Sequence, residues 1–225
     1  MFRNSLVVAV LAATTTVFAQ APATAPPISG KLGTPVQAFN GKDYTGWVWV
    51  SNPANPQTKL DDTWSIKDGA MSCTGKPNGQ IRTEKDFGPD YVLTVEYRHV
   101  TVGGGGMLFG ITGPDGGPPK QMQVQGTFGQ VGDLIDQGGI KWTIDQSRAP
   151  RPDRMTKIGP LSEKPLGEWN VLETIVDHGN ITIKVNGQLQ NLATEAEDLT
   201  GKIGFQSEGA AMEFRKVQVT PIGRP

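Results

Sequence analysis

Three stretches of alternating polar and apolar residues, all within Tyr91–Gln125, constrain the fold of this chain more than any other feature. They are YVLTVEYRHV, then GMLFGIT, whose first residue is the last of a run of four glycines, then QMQVQ after a Gly/Pro-rich loop. Alternation with a period of two is typical of β-strands that bury one face and expose the other. We therefore predict three strands here, with the glycine run marking a close approach of backbones at the start of a strand.

The polar positions of the first and third strands contain Glu96, Arg98, Gln123 and Gln125. If these strands are neighbours in one sheet, the four side chains share one polar surface. Acceptors, donors and a fixed positive charge together suit the hydroxyl groups of sugars. An ordinary solvated sheet face explains the same pattern equally well, so both interpretations stay open.

Regular turn signals divide the rest of the chain into further short strands. Asp68-Gly69 and Asn186-Gly187 each separate two runs of strand-forming residues, and such pairs favour the positive φ angles of tight hairpins. With 29 Gly and 17 Pro among 225 residues, the composition also favours many short strands over helices. The sequence therefore predicts an all-β domain of the sandwich or jelly-roll type.

Two stretches are less regular. Gly126–Arg154 is rich in glycine and is predicted to be a long loop with one further strand at Ile140–Ile144. Loops of this length are uncommon unless they have a function or are disordered. We also predict a short strand at Ile81–Thr83 and one helical turn within Thr194–Thr200.

The start of the chain has the features of an export signal. Arg3 supplies a positive charge, Leu6–Ala13 is a short apolar segment, and Ala19 ends a stretch suited to cleavage. We therefore expect a signal peptide at 1–19, a disordered linker rich in Ala, Pro and Thr at 20–35, and one β-sandwich domain at 36–225. The mature protein is expected to be periplasmic or secreted, without insertion into the membrane after cleavage, because the apolar segment is too short to span a bilayer.

The charge composition excludes two classes of partner. Lys and Arg total 21 and Asp and Glu total 22, which gives a net charge of -1 with no basic block. Binding of nucleic acid and of an anionic membrane surface therefore has no electrostatic basis in this sequence. The lone Cys73 has no partner for an internal disulfide. The oligomeric state does not follow from the sequence.

Carboxylates on strands are the candidate catalytic groups. Glu96 lies on the first of the three strands, Glu208 follows the strand GKIGFQ, and Asp133 lies in the long loop. Two such carboxylates across a cleft can act as general acid and general base. A surface ion pair between Glu96 and Arg98 is the alternative interpretation of that strand.

Polar and aromatic side chains near these strands are the candidate substrate-binding residues. They are Gln123, Gln125, Asp133, Trp142 and Gln206. Trp142 is included because a flat ring can stack on the apolar face of a sugar, whereas Trp47, Trp64 and Trp169 fit core positions.

The sequence contains no short metal-binding or cofactor-binding motif. His99 and His178 are far apart and lack the spacing of a metal site, so we expect surface or loop positions for both. No cofactor is predicted. A cation site made of carboxylates and carbonyls stays open, since such a site needs no short motif.

Seven segments occur in a fixed order between about Val36 and Pro221. They are FNGKDYTGW, WSIKDGAM, YVLTVEYR, GEWN, VNG, IGFQSEG and EFRKV. Each is a weak motif alone, but their order and spacing together resemble the 3-keto-disaccharide hydrolase family.

The resemblance implies a concanavalin-like jelly-roll β-sandwich of two curved antiparallel sheets with a concave polar face. It also implies cleavage of glycosides oxidised at C3, by elimination of the C1 oxygen and hydration of the product. Glu96 or Glu208 would be the base at C2, Arg98 would stabilise the enolate, and the other carboxylate would be the acid. The hypothesis requires Glu96, Arg98, Gln123 and Glu208 to converge in one hollow.

Gln123 departs from the family pattern, because many members carry Glu at the corresponding position. An amide binds ligands but does not exchange a proton. The sequence therefore predicts a hydrolase that acts on a small 3-keto-glycoside or, alternatively, a lectin-like carbohydrate-binding module without catalysis. A structural domain that binds another protein is the third possibility.

Overall fold

The computed structural model describes residues 24–114 and 119–223, so the predicted signal peptide at 1–19 lies outside the described residues. The described residues form sixteen β-strands in two antiparallel sheets, which confirms the predicted all-β jelly-roll sandwich. Helical structure among them is limited to two 3₁₀ turns, Leu60–Asp62 and Gln146–Arg148. The described part of the chain has no helix with the length and apolar character needed to span a lipid bilayer.

In chain order the strands are β1 (Lys31–Leu32), β2 (Val36–Gln37), β3 (Trp47–Ser51), β4 (Trp64–Lys67), β5 (Ala70–Cys73), β6 (Gly79–Thr83), β7 (Tyr91–His99), β8 (Gly104–Thr112), β9 (Lys120–Gln125), β10 (Leu134–Gln137), β11 (Arg154–Met155), β12 (Asn170–Asp177), β13 (Asn180–Val185), β14 (Gln188–Ala193), β15 (Lys202–Glu208) and β16 (Met212–Gly223). One sheet has nine strands, in the order β14-β13-β12-β7-β16-β5-β4, with β1 and β2 paired to β16. The other has seven strands, in the order β11-β10-β9-β8-β15-β6-β3.

Stacked aromatic rings join the two sheets in the core. Phe205 of β15 stacks on Phe214 of β16 with ring centroids 4.1 Å apart. Trp47 stacks against Phe205 at 5.6 Å, and Trp64 contacts Phe214 at 6.0 Å. All four rings occupy inward positions of their strands and are almost completely buried. The predicted core positions of Trp47 and Trp64 are confirmed.

The predicted hairpins are present. Asp68 and Gly69 have φ angles of 50° and 74° between β4 and β5, and Asn186 and Gly187 have φ angles of 52° and 77° between β13 and β14. Two successive positive φ angles are typical of the type I′ turn, whose twist matches that of the flanking strands.

The predicted shared polar surface would require the strands of Tyr91–Gln125 to lie together in one sheet, but they do not. β7 belongs to the nine-stranded sheet, whereas β8 and β9 are neighbours in the seven-stranded sheet. Alternation determines which residues share one face of a strand, but it does not determine which sheet the strand joins.

Three local predictions are also wrong. Ile140–Ile144 contributes one isolated bridge and no strand, and Thr194–Thr200 contains no helical turn. The disordered linker does not extend to residue 35, because Lys31–Leu32 pair with the end of β16 and Ser29 N donates to Asp177 Oδ2 at 2.7 Å.

Candidate active site

A groove of about 240 Å³ lies on the outer face of the seven-stranded sheet. We call it the glutamine groove, because four glutamines and one carboxylate give it its polar character: Gln80, Gln121, Gln137, Gln206 and Glu208. Glu208 is the only ionisable side chain among the described residues that line it. The described lining therefore offers neutral hydrogen-bonding groups and a single site of proton exchange.

Strand alternation places these side chains together. Gln80 on β6 and Gln206 on β15 are directly opposite each other in the register of the sheet, as are Gln121 on β9 and Gln137 on β10. The residues next to them along the strands, such as Ile81, Met122 and Phe205, point inwards and are buried in the core.

The glycine run makes room for the polar side chains. A Cβ atom on Gly106 of β8 would lie 2.6 Å from Gln123 Nε2 and 2.9 Å from Gln206 Oε1. A Cβ on Gly104 would lie 2.8 Å from the carbonyl oxygen of Glu208. Contacts this short exclude any larger residue without movement of a neighbour. The predicted close approach at the start of this strand is confirmed.

Amide hydrogen bonds connect the glutamines across three strands. Gln123 Nε2 donates to the carbonyl of Gly105 at 3.1 Å, and Gln137 Nε2 donates to Gln123 Oε1 at 2.5 Å. Gln121 Nε2 donates to Gln137 Oε1 at 2.5 Å and to Gln80 Oε1 at 3.3 Å. Gln123, predicted to bind substrate, is thus part of the hydrogen-bond network under the groove.

Glu208 lies at the edge of the groove as an exposed residue, yet the protein around its carboxyl group disfavours the charge. Desolvation by burial raises the pKa of Glu208 above its usual value, and the positive charge of Arg151 only partly opposes this shift. A carboxyl group with a raised pKa is better suited to take up and return a proton at near-neutral pH.

Glu96 and Arg98 do not converge with Gln123 and Glu208, so this prediction is wrong. They lie on β7 of the nine-stranded sheet, and their neighbours Val95 and Tyr97 point into the core. We call this surface the ion-pair face; its residues are Glu96, Arg98, Trp169, Glu213, Arg215 and Lys216.

Every charge named on the ion-pair face has a close partner. Glu96 accepts from Arg215 Nε at 2.7 Å and from Lys216 Nζ at 2.6 Å, and Arg98 Nε donates to Glu213 at 2.6 Å. Burial alone would raise the pKa of Glu96, but the hydrogen bonds and charges of Lys216 and Arg215 outweigh it and lower the pKa. A carboxylate held in its charged form in this way is a poor general base.

Trp169 is not a core residue, although the sequence suggested that it was. It lies partly exposed on the ion-pair face, where the guanidinium groups of Arg98 and Arg215 are 4.7 Å and 3.9 Å from its ring centroid. Such cation–π contacts favour a planar guanidinium over an aromatic face.

The other three candidate residues have structural contacts outside the lining of the groove. Asp133 is buried, and its Oδ2 accepts from Arg154 Nε at 3.1 Å. Trp142 is partly buried and packs against the hydrophobic core. Gln125 Oε1 accepts from the backbone N–H of Gly126 at 2.9 Å.

Gln80, Gln121 and Gln137 were not among the candidate residues predicted from the sequence. Gln121 shares the polar side of QMQVQ with Gln123, so alternation alone was a sufficient signal for it. Gln80 precedes the strand predicted at Ile81–Thr83, and Gln137 ends β10 within the stretch predicted to be a loop.

His99 is buried, contrary to the expected surface or loop position. Its Nε2 lies 2.8 Å from the carbonyl oxygen of Gly126, so this nitrogen carries the proton. Its Nδ1 lies 3.5 Å from Glu163 Oε1, which is equally buried, and Glu163 Oε2 accepts from Gly129 N at 2.8 Å. The pair fixes the loop between β9 and β10, which begins next to Gln125.

Among the described residues, one group of side chains could hold a metal ion, and it lies away from the glutamine groove. The ligand atoms of Asp90, Asp177 and His178 lie within 4.8 Å of one another. Asp177 already accepts from Ser29 N at 2.7 Å and from Ser29 Oγ at 2.6 Å. Hydrogen bonds within the protein account for this cluster, so it gives no positive indication of a cation.

Solved structures with a similar fold include carbohydrate-active proteins. A candidate glycosyl hydrolase from Parabacteroides distasonis ATCC 8503 is 17% identical, with 84% of this chain and 94% of that chain covered and a TM-score of 0.61. The β-glucanase of Bacillus licheniformis is 16% identical, with 87% and 100% covered and a TM-score of 0.58. The carbohydrate-binding module CBM66 from Bacillus subtilis is 13% identical, with 77% and 94% covered and a TM-score of 0.54. The TM-scores show a shared jelly-roll fold, and at these low identities the likeness extends to the fold alone.

No curated protein matches the sequence. Residues 34–220, however, match a family described as the 3-keto-alpha-glucoside-1,2-lyase-like domain. This range covers nearly the whole described region and agrees with the resemblance found in the sequence motifs. The chain therefore belongs to the 3-keto-alpha-glucoside-1,2-lyase-like family.

Proposed function

We propose that this protein is a carbohydrate-active enzyme of the glycosidase type that cleaves 3-keto-glycosides in the glutamine groove. The family supports action on a carbohydrate, and a groove of neutral amides suits an uncharged sugar. The ligand is a small carbohydrate, and we propose that the enzyme acts in the periplasm or outside the cell.

The observation that carries the proposal is that Glu208 is the only ionisable group among the described residues that line the groove. Glycosidases that displace the leaving group directly generally use two carboxylates roughly 5–9.5 Å apart. Elimination from a 3-keto-glycoside needs one base, since the ketone makes the C2 proton acidic. One carboxyl group with a raised pKa therefore suits elimination better than displacement.

The proposed reaction has two stages. The Glu208 carboxylate removes the proton from C2, and the electron pair moves onto the oxygen at C3 to give an enolate. Amide N–H groups of the groove donate to this oxygen. The enolate then re-forms the ketone as the C1–O bond breaks, and the leaving oxygen takes the proton from Glu208. Water adds across the C1=C2 bond of the product, so the net reaction is hydrolysis.

Turnover in D₂O tests this route. Elimination followed by hydration should place deuterium at C2 of the released 3-keto sugar, whereas displacement at C1 leaves the C2 hydrogen in place. Mass spectrometry and NMR of the product at early times measure the incorporation. The 3-keto sugar incubated alone corrects for exchange without the enzyme. Turnover with only that background at C2 would rule out the elimination.

A carbohydrate-binding module is the second candidate function, and the amide at Gln123 favours it. An amide at this position supplies hydrogen bonds but no proton transfer. Saturable binding of glucosides and 3-keto-glucosides without any turnover would support this alternative over the enzyme.

A further inference from the structure

The hydrogen bonds of the glutamine groove run in one fixed direction. The carbonyl oxygen of Gly105 can only accept, so Gln123 must present its Nε2 to it and its Oε1 to Gln137. Gln137 must therefore donate to Gln123 and accept from Gln121. Gln121 in turn donates to Gln80 Oε1. A single backbone carbonyl thus determines the orientation of four amides.

We call this series of hydrogen bonds, from the Gly105 carbonyl to Gln80, the amide relay. Its direction leaves specific polar atoms without partners at its end. Gln80 Nε2, a donor, and Gln121 Oε1, an acceptor, have no hydrogen-bond partner among the described residues. Gln80 is only 7% exposed and Gln121 only 1% exposed, and both line the groove. Gln206 Oε1 is a further buried acceptor without a partner there, and it lies next to Gly106. Buried polar atoms without hydrogen bonds are costly, so their presence at a groove points to a ligand.

We propose that Gln80, Gln121 and Gln206 form the subsite that recognises an uncharged sugar ring through adjacent hydroxyl groups. One hydroxyl accepts from Gln80 Nε2, and its neighbour donates to Gln121 Oε1 or Gln206 Oε1. Hydroxyl groups fit this pattern because each can donate and accept. The inference rests on the proposed function only in taking the glutamine groove as the sugar site.

The same groups exclude anionic sugars. A carboxylate or phosphate on the ring can only accept, so it would face the unpartnered oxygens of Gln121 and Gln206. The negative charge of Glu208 in the same groove adds repulsion, and no cationic residue lines the groove among those described. The specificity therefore comes from the amide relay and not from charge attraction.

Binding of methyl α-D-glucopyranoside by isothermal titration calorimetry tests the subsite. This glucoside carries no ketone, so the proposed reaction does not consume it. We expect Gln80→Met and Gln121→Met each to weaken binding about three- to tenfold, since each loses a hydrogen bond to the ligand. Gln137→Glu should weaken binding by a similar factor, because it replaces the donor in the middle of the relay with an oxygen. Gln37→Met is the matched control, since Gln37 is exposed on the other sheet and pairs with Gln218.

Deoxy analogues of the glucoside identify the hydroxyl groups that are recognised. The analogue that lacks the hydroxyl recognised by Gln121 should bind the unaltered protein more weakly than the glucoside does. Gln121→Met should bind this analogue and the glucoside equally well. Methyl α-D-glucopyranosiduronate should bind at least tenfold more weakly than the glucoside. Thermal unfolding of each variant establishes that it is folded.

Several outcomes would overturn the subsite. They are no saturable binding of the glucoside, equal binding by the groove variants and the control, or equal binding of the glucuronide. Failure of the proposed function looks different, because the protein would then bind the glucoside as expected but leave 3-keto-glycosides intact.

Discussion

The two polar faces of the sandwich have the same strand alternation but opposite hydrogen-bond states. On the ion-pair face, Glu96 has both carboxylate oxygens paired with cations. In the glutamine groove, Gln80, Gln121 and Gln206 each retain a buried polar atom without a described partner. A search for the highest density of charged side chains would have identified the ion-pair face as the site. Unfulfilled hydrogen bonds are the better indicator, because a charge that is already paired has little left to offer a ligand.

The carboxyl groups of Glu96 and Glu208 show the same contrast in their acidity. The pKa of Glu208 is raised, mainly by desolvation, whereas the pKa of Glu96 is lowered by Lys216 and Arg215 despite its own desolvation. The environment of each carboxyl group, and not its strand or its residue type, decides whether it can act as a base.

The largest effect is expected from Glu208→Gln, which keeps the shape of the side chain but removes proton exchange. We expect it to lower kcat on a nitrophenyl 3-keto-glucoside by roughly 10²–10⁴-fold, the usual contribution of a general base. Glu96→Gln, the same change on the ion-pair face, should alter kcat by less than about twofold, as expected for a surface position. Comparable losses in both variants would remove the functional distinction between the two faces.

Alanine substitutions at Gly105 and Gly106, which are neighbours on β8, should affect protein stability and ligand binding separately. A Cβ on Gly106 meets the flexible ends of Gln123 and Gln206, so Gly106→Ala should weaken glucoside binding about tenfold with little loss of stability. A Cβ on Gly105 instead lies 2.8 Å from Met212 Sδ in the core, so Gly105→Ala should lower the free energy of unfolding by about 1–3 kcal/mol.

Calorimetry and urea unfolding measure the two quantities for the glycine variants. A Gly106→Ala protein that binds normally would show that the amides are not confined by the glycine run. A Gly105→Ala protein that is as stable as the parent would show that Met212 can move aside.

The smallest effect is expected in the pH dependence of stability, where the two carboxylates should act with opposite sign. Because the pKa of Glu208 in the folded protein is above its ordinary value of 4.5, its contribution to stability falls as the pH rises from 4.5 through the folded pKa. Because the folded pKa of Glu96 is below 4.5, its contribution is present above 4.5 and is lost as the pH falls through the folded pKa.

Substitution by glutamine removes each titration. At pH 7, Glu208→Gln should raise the free energy of unfolding slightly, and Glu96→Gln should lower it, each by up to about 1 kcal/mol. Urea unfolding across a pH series measures both variants against the parent. Shifts of the same sign would contradict the opposite environments of the two groups.

The fold was predictable because its signals are local. Turn pairs such as Asp68-Gly69 require positive φ, and alternation of period two marks each strand wherever it lies in the sandwich. The predicted class, the hairpins and the core positions of Trp47 and Trp64 all follow from such local rules.

The site was predictable only in part, because it depends on which strands become neighbours. Glu208 and Gln206 were identified from a strand end, and they do line the groove. Glu96 and Arg98 have an equally clear polar pattern, but β7 joins the other sheet. Gln80 gains its role only through its pairing opposite Gln206, which is a non-local contact that alternation cannot specify.

Because β8 has no side chains beneath the amides, the space for a ligand can change without a change in the strand itself. Because Gly104 and Gly106 contribute no side chains, the room available to a bound ring depends on the lengths of the surrounding residues on β6, β9 and β15. Shortening one of them by a single methylene, as in Gln206→Asn, enlarges the space without disturbing the strand below. A change of ligand preference therefore needs substitutions only in these surrounding residues, and the backbone of β8 can stay the same.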